Sequence, residues 1–447
     1  MSTLRFANSS HWDLINEHIS KSSHRETFAF AFTKLVSDGA EGPVLLVDDI
    51  HLVPEADVEP DGFGWTISDD ELDRVHNRAI KAGLGLVEFH CHSIGPPRFS
   101  PTDEQSLGPT AEYITAIMPG RPYGAAVVAD GQVFAQYWTR ISGDVSRGTF
   151  RSVVVLGDCL KVLNAEGSDD PRLQRQLPLL TASGSDALGS LRVGIVGAGG
   201  TGSQVTLALA YIGVRDYVIL DDDVVEESNL NRLVTGGAAD IGAPKNLVAR
   251  RRARELDPSI RVVALPAIAI DHVPSELIDC DVIFGCVDHD GPRDLLNQIS
   301  VDAAIPFFDI ATGVDPDSLP LEVGGRVTFV GPGRPCLHCT QELDPYEVGR
   351  WSKRPEQQVI DRAHGYGIIG NEPSVVHLNG LAANAAVGEF VAWITGHRQP
   401  ANLSIDLVGE STETNRTPGM RILPQRPSGR NPDCIACSNL RDRGHAQ

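Results

Sequence analysis

Positive charge is what this sequence most plainly lacks. Its 447 residues carry 38 Lys and Arg against 59 Asp and Glu, a formal net charge of −21 at pH 7. So acidic a surface repels phosphate backbones and anionic lipid, which argues against nucleic acid or a membrane as the main partner. Long apolar runs are missing too. The longest uncharged stretch, residues 193–214, is broken by Gly, Ser, Thr and Gln and does not read as a membrane span. The opening MSTLRFANSSHWDLINEHIS has no apolar core of the kind a secretory signal needs, so a reducing cytoplasm is the expected home. Internal repeats and low-complexity tracts are absent. With 41% hydrophobic and 22% charged residues, the composition is that of a globular chain, and the length suggests two or three domains.

What is present falls into two halves. FAFAF (28–32), VLLVD (44–48), GLVEFH (85–90), YITAIM (113–118), GAAVVA (124–129) and VFAQYW (133–138) read as strands around one helix at 69–84. This predicts an α+β domain over residues 1–145. Residues 146–170, rich in Ser, Gly and Asp, read as a connector. From 171 to 447 the pattern changes. LRVGIV (191–196) is continuous and apolar, as a buried parallel strand should be, and a helix follows its glycines. YVIL (217–220), DVIFGC (281–286) and PFFDI (306–310) continue the alternation, which predicts a doubly wound, Rossmann-like α/β domain. Residues 375–396 predict a long buried helix.

Eight cysteines include two Cys-x-x-Cys pairs, Cys336/Cys339 and Cys434/Cys437. In a chain this long the pattern points to metal rather than to a disulfide framework. Four thiolates close a tetrahedral zinc, so this ion would be structural, clamping the C-terminal tail with its strand-like NLSIDLVG onto the domain. Neither pair opens a helix after a strand, as a redox pair would.

In the first half, His90-Cys91-His92, Ser100 and Asp103 read H-x-H-x7-S-x2-D. Residues two apart on a strand share a face, so His90 and His92 can present two imidazoles side by side. Asp103 adds an oxygen ligand, and the fourth position of a zinc stays open for water, as in catalytic sites. Zinc brings the pKa of such a water toward ~7. Glu26, before the FAFAF strand, is the candidate general base, and Ser100 can donate a hydrogen bond to a developing oxyanion. Ser-Pro-Thr-Asp is also an ordinary helix start, with Ser100 as N-cap, which would itself fix Asp103 in place. The segment resembles the JAMM metalloproteases (JAB/MPN domain), which cleave peptide or isopeptide bonds at the C-terminus of ubiquitin and its relatives. The resemblance implies zinc on His90, His92 and Asp103, Glu26 as base and Ser100 as oxyanion donor. Ser93 stands where many relatives have Pro.

In the second half, Gly197-Ala198-Gly199-Gly200-Thr201-Gly202 follows a strand and opens a helix, a place for phosphates on backbone N–H groups. Asp221 ends the next strand, where it suits a ribose hydroxyl. A nicotinamide dehydrogenase has no need of the cations that follow, Arg232 and Lys245. They suit a triphosphate and the charge that develops when a carboxylate attacks its α-phosphate. Asp288 can hold Mg²⁺. This half resembles the adenylyltransferases that activate ubiquitin-like proteins, including the molybdopterin- and thiamine-pathway enzymes (the ThiF/MoeB type). The resemblance implies that Gly200, Asp221, Asn229, Arg232, Lys245 and Asp288 bind ATP and Mg²⁺. It extends to Arg172-Leu-Gln-Arg175-Gln176, and implies that Arg175 is an arginine finger reaching a partner subunit's ATP, hence a homodimer.

One departure matters. Many activating enzymes pass the acyl group to a cysteine in the crossover segment, and residues 340–374 contain none. Cys280 and Cys286 flank a buried strand, Cys91 points away from the histidine face, and Cys159 in the connector is the one loose candidate. The expected acceptor is therefore external: a conjugating enzyme or another thiol, a sulfide, or an amine. The reading is a bifunctional enzyme that adenylates the C-terminal glycine of a ubiquitin-like protein and cleaves bonds at that terminus, with one catalytic and one structural zinc. The alternatives are activation of a sulfur carrier with release of an amino acid from it, adenylation of a small peptide, and a scaffold that binds such tails without turnover.

Overall fold

The computed structural model describes the chain except residues 1, 21–25, 40, 61–63, 93–95, 168–169, 270–271, 316–317, 319–320, 353–373, 408–419, 426–428 and 439–447. Ser93 and most of the crossover segment therefore lie outside the described residues. The chain divides into two compact units, with the boundary between Glu166 and Gly167.

The first unit is built on a nine-stranded sheet. From edge to edge its strands are Leu160–Val162, Ser152–Leu156, Thr3–Phe6, Gly42–Leu52, Phe28–Gly39, Gly85–Cys91, Tyr123–Ala129, Gln132–Ile141 and Asp144–Thr149. Strand alternation sorts FAFAF cleanly. Phe28, Phe30 and Phe32 pack with Val75, Ala79, Leu107 and Ile114 of helices Asp69–Ala82 and Pro101–Ile117, while Ala29 and Ala31 face Trp12 and Ile15 of helix Ser9–Ser20. Each buried phenyl contributes about 1.5–3 kcal/mol.

Two expectations are corrected here. YITAIM is not a strand: it closes helix Pro101–Ile117, which buries Leu107, Ala111, Ile114 and Thr115 at helical spacing. The N-cap at Ser100 starts that helix, and packing overrides the strand preference of Tyr, Ile and Thr. Nor is 146–166 a connector. It supplies strands Ser152–Leu156 and Leu160–Val162, the first of which lies beside Thr3–Phe6 with Val153 and Val155 in the core.

The second unit carries an eight-stranded sheet. Arg261–Leu265, Asp216–Leu220, Arg192–Val196, Val282–Gly285 and Phe307–Asp315 run parallel in that order. Glu322–Val330, Leu403–Asp406 and Arg421–Pro424 extend it antiparallel. The chain winds outward from Arg192–Val196 in one direction, then resumes on its other side at Val282–Gly285. That reversal makes a crevice at the carboxyl ends of these two strands, where doubly wound sheets hold ligands. Helices Gly200–Tyr211 and Val376–Ile394 pack against each other, and the second buries Leu378, Ala382, Ala386 and Phe390. Among the described residues no helix is long and apolar enough to cross a membrane.

Candidate functional site

The glycine loop sits in the crevice, and two of its glycines are obligatory. Gly197 has φ of +91°, and a Cβ there would stand 2.6 Å from the Cys286 carbonyl oxygen. A Cβ on Gly202 would stand 1.8 Å from the Gly197 carbonyl oxygen. Gly199, by contrast, faces open space, so a ligand can come up to the backbone there. Asp221 holds the turn: its Oδ2 accepts the Ala198 N–H at 2.6 Å and its Oδ1 accepts the Asp223 N–H at 2.9 Å. Burial pushes its carboxyl up, against the pull of those N–H groups and of Lys245.

Both expected cations come to the loop. The Arg232 side chain lies along Gly200, with Cγ and Cδ 3.2 Å from where a Cβ would be. Its Nη1 donates to the Ser228 carbonyl at 2.9 Å and to Asn231 Oδ1 at 3.0 Å. Lys245 opens helix Lys245–Leu256 and is buried, with Nζ 2.7 Å from Asp223 Oδ2. Asn229 shapes the turn before Arg232 by accepting the Glu226 N–H at 3.1 Å. The Asp288 side chain is 79% exposed just past strand Val282–Gly285, accessible to a cation.

The entry segment is anchored at Arg172, which binds Asp257 at 2.5 Å and the Leu256 carbonyl at 3.0 Å. Arg175 is exposed and has no hydrogen bond or ion pair among the described residues.

The four expected thiols converge. Cys336 Sγ lies 3.8 Å from Cys339 Sγ and 3.5 Å from Cys434 Sγ, and Cys339 Sγ lies 3.4 Å from Cys437 Sγ. Zinc–sulfur bonds of about 2.3 Å in a tetrahedron put sulfurs about 3.8 Å apart, so the set fits zinc with little adjustment. The Asn431 N–H points at Cys339 Sγ from 3.4 Å, a contact that stabilises a thiolate. The clamp also reaches helix Asp290–Ala303: the Leu337 N–H donates to Asn297 Oδ1 at 2.9 Å, and His338 Nε2 lies 2.6 Å from Asp294 Oδ1. Cys434→Ser should therefore remove one zinc per chain, read by elemental analysis, and lower the unfolding midpoint by about 10 °C.

In the first unit, His90 is the penultimate residue of strand Gly85–Cys91 and His92 follows the strand, with ring centroids 5.1 Å apart. Asp103 Oδ2 lies 3.1 Å from His92 Nε2 and 3.6 Å from His90 Nε2. One ligand atom from each of the three residues can lie within 4.8 Å of the others. His90 is buried, and among the described residues neither ring nitrogen has a hydrogen-bond partner. Buried polar atoms without partners are rare, and a metal ion would satisfy one of these two. Ser100 and Asp103 form a reciprocal cap: the Asp103 N–H donates to Ser100 Oγ at 3.2 Å, and the Ser100 N–H to Asp103 Oδ2 at 2.6 Å. The Ser100 hydroxyl accepts here, so its own proton is available to a substrate oxygen. Burial raises the Asp103 pKa, but the two imidazoles and the Ser100 N–H outweigh it and hold the carboxyl well below the usual range.

Glu26 arrives through sheet register. Phe28 pairs with His90 at the end of the ladder, and Glu26 lies just before it, as His92 lies just past the other strand. Its charge, after that of Asp103, helps raise the His92 pKa. Cys91 points the other way, packed among Trp12, Phe89 and Val128. Phe28 and Phe99 flank the His90 ring at 6.1 and 6.0 Å, and Phe134 stands against Phe99.

Residues 172–434, more than half of the chain, match the sequence model of the ThiF family. The chain belongs to the ThiF family. Its ThiF region begins at Arg172, the anchored residue of the entry segment, and ends at Cys434 of the clamp. The chain is 31% identical over 194 residues to the SAMP-activating enzyme E1 of Haloferax volcanii, covering 43% of this chain and 65% of that one. It is 31% identical over 270 residues to the mouse adenylyltransferase and sulfurtransferase MOCS3, covering 60% and 52%. With the molybdopterin-synthase adenylyltransferase of Escherichia coli it shares 32% over 186 residues, 40% and 72%. It thus spans about half to two thirds of the length of the first two of these relatives.

The ThiF unit also holds residues that spacing alone did not single out. Asp223, the partner of Lys245, stood within an acidic run. Asn379 lies buried at 3% exposure against the glycine loop. The sign of it in the sequence is an amide on the buried face of a mostly apolar helix. Cys280 and Cys286 have thiols pushed up by burial, which makes both poor nucleophiles.

Proposed function

We propose that the chain adenylates the C-terminal glycine of a small ubiquitin-like or sulfur-carrier protein with ATP. The reading is carried by the glycine loop at the switch point, with the Arg232 stem on Gly200 and Lys245, at the start of helix Lys245–Leu256, paired with Asp223. A glycine carboxylate oxygen attacks the α-phosphorus of ATP, the bond to the bridging oxygen breaks, and pyrophosphate leaves. Arg232 and Lys245 supply the positive charge that the crowded phosphates require. Lys245 can exchange its exposed partner Asp223 for a phosphate oxygen. Asp288 would hold Mg²⁺, which screens phosphate charge when bound. Arg175, exposed on the entry segment, fits a finger donated to a partner subunit and so a homodimer. The absence of a cysteine in residues 340–374 favours transfer to an external thiol, sulfide or amine. The relatives' names, which speak of SAMP activation, molybdopterin synthase and sulfurtransfer, favour a carrier protein over a short peptide.

The first unit supports a second activity on the same tail, hydrolysis of a peptide or isopeptide bond after the terminal glycine. The observation behind it is the convergence of His90, His92 and Asp103, with Glu26 close enough for its charge to act on His92. Zinc bound there would supply a Lewis acid and lower the pKa of its water toward ~7. Glu26 would take the proton of the attacking water and deliver it to the leaving amine. The Ser100 hydroxyl would hydrogen-bond the carbonyl oxygen as its charge grows. The adenylation reading is tested by ATP–pyrophosphate exchange with a β-grasp protein ending in Gly-Gly. Exchange should require that protein and vanish when its last glycine is deleted. ATP binding without exchange would favour a scaffold.

A further inference from the structure

The helix that opens at Gly200 leaves the N–H groups of residues 199–202 without intrahelical partners. Three of them, on Gly199, Gly200 and Gly202, have no partner among the described residues. The fourth is taken. Asn379, in the first turn of helix Val376–Ile394, brings its amide against the loop, and its neighbours fix which way round it sits. Oδ1 accepts the Thr201 N–H at 3.2 Å, while Nδ2 donates to the Val375 carbonyl at 2.7 Å and to Ser374 Oγ at 3.2 Å. The same amide fills the space over Gly200: a Cβ there would lie 2.2 Å from it, with the Arg232 stem 3.2 Å away on another side. Gly200 is thus enclosed by the two side chains: Asn379 leaves no room for a methyl group, whereas the Arg232 stem need give by only a few tenths of an ångström.

We propose that Asn379 is a positioning residue of the nucleotide cradle. By taking the Thr201 N–H it decides which backbone donors a phosphate can use, leaving those of Gly199, Gly200 and Gly202. By filling the space over Gly200 it also sets the position from which Arg232 reaches the ligand. The inference rests on the adenylation reading and deepens it. An asparagine that merely tied down the start of its own helix would affect stability, yet leave the donor pattern and the ATP affinity as they were.

The test uses the full chain and Mg·ATP. Affinity is measured by calorimetry for the wild type, Asn379→Ala, Asn379→Asp, Gly200→Ala and the double variant Asn379→Ala/Gly200→Ala. Hydrogen exchange at the Thr201 amide is followed without nucleotide. Asn379→Ala should weaken ATP about 10-fold and speed exchange at Thr201. Asn379→Asp keeps an acceptor for Thr201 but loses the donor to Val375 and adds negative charge beside the phosphates. It should weaken ATP at least as much while Thr201 stays protected, and being nearly isosteric it carries the test if the alanine variant fails to fold. Gly200→Ala should cost about 10-fold in the wild type and less than threefold more in the Asn379→Ala background, because the clash is then gone. If the wild type binds ATP and Asn379→Ala or Asn379→Asp binds it equally well, or if the two losses simply add, the inference is overturned. A wild type that binds no ATP overturns the adenylation reading and this inference with it.

Discussion

Lys245→Ala should lower ATP–pyrophosphate exchange by 10²–10³-fold with the unfolding midpoint nearly unchanged. The size follows from removing one preorganised charge aimed at the reacting phosphates, which costs about 2.7–4 kcal/mol of transition-state stabilisation. Lys245 suits that role because it is buried at 8% exposure yet its partner Asp223 has a side chain 68% exposed. An ion pair with so exposed a carboxylate adds only about 0–1 kcal/mol to stability, so its loss hardly destabilises the fold. Lys245→Arg should recover little, since a planar guanidinium does not fit a space shaped for a compact ammonium. The loss should fall on kcat more than on the KM for ATP, because Arg232 and the backbone N–H groups of the loop still bind the ground state. If exchange by Lys245→Ala stayed within threefold of wild type, the lysine would be a helix-start residue paired with Asp223 and nothing more.

How much of this was legible depended on how local each signal is. The LRVGIV strand, the glycine turn and the helix after it lie within about twenty consecutive residues, and the structure has them where periodicity put them. The two Cys-x-x-Cys pairs were equally readable, since each pair is local and four thiols have few other uses. His90, His92 and Asp103 were found by spacing because a strand and the helix start after it carry all three. Glu26 could be proposed but not placed, because only the pairing of Phe28 with His90 brings its end of the strand to the histidines. Strand order was not legible at all. Nothing in residues 146–166 announces that Val153 and Val155 lie beside Thr3–Phe6, and the Ser, Gly and Asp around them resemble a linker. YITAI misled because its β-branched residues lie on a helix whose start is set by a cap thirteen residues upstream. Asn379 was invisible for a related reason: its partner Thr201 is 178 positions away, and an amide in a mostly apolar helix does not say what it touches.

Glu26→Gln and His92→Ala separate the chemistry of the first unit from its metal. Take as substrate a β-grasp protein whose Gly-Gly terminus carries a short peptide extension. Glu26→Gln should cut its hydrolysis by 10²–10⁴-fold, the range for loss of a positioned general base. Zinc content should stay at two per chain, because Glu26 lies outside the His90, His92 and Asp103 set. The amide also removes a negative charge that helps raise the His92 pKa, so zinc should compete slightly better with protons for His92. His92→Ala removes a ligand rather than a base. It should lower zinc to one per chain, that one held by Cys336, Cys339, Cys434 and Cys437, and hydrolysis should fall to background. Exchange of pyrophosphate into ATP should survive both changes, since neither residue belongs to the unit that carries the glycine loop. A wild-type chain that holds a single zinc would remove the case for hydrolysis, and His90 would then be a buried imidazole beside Asp103.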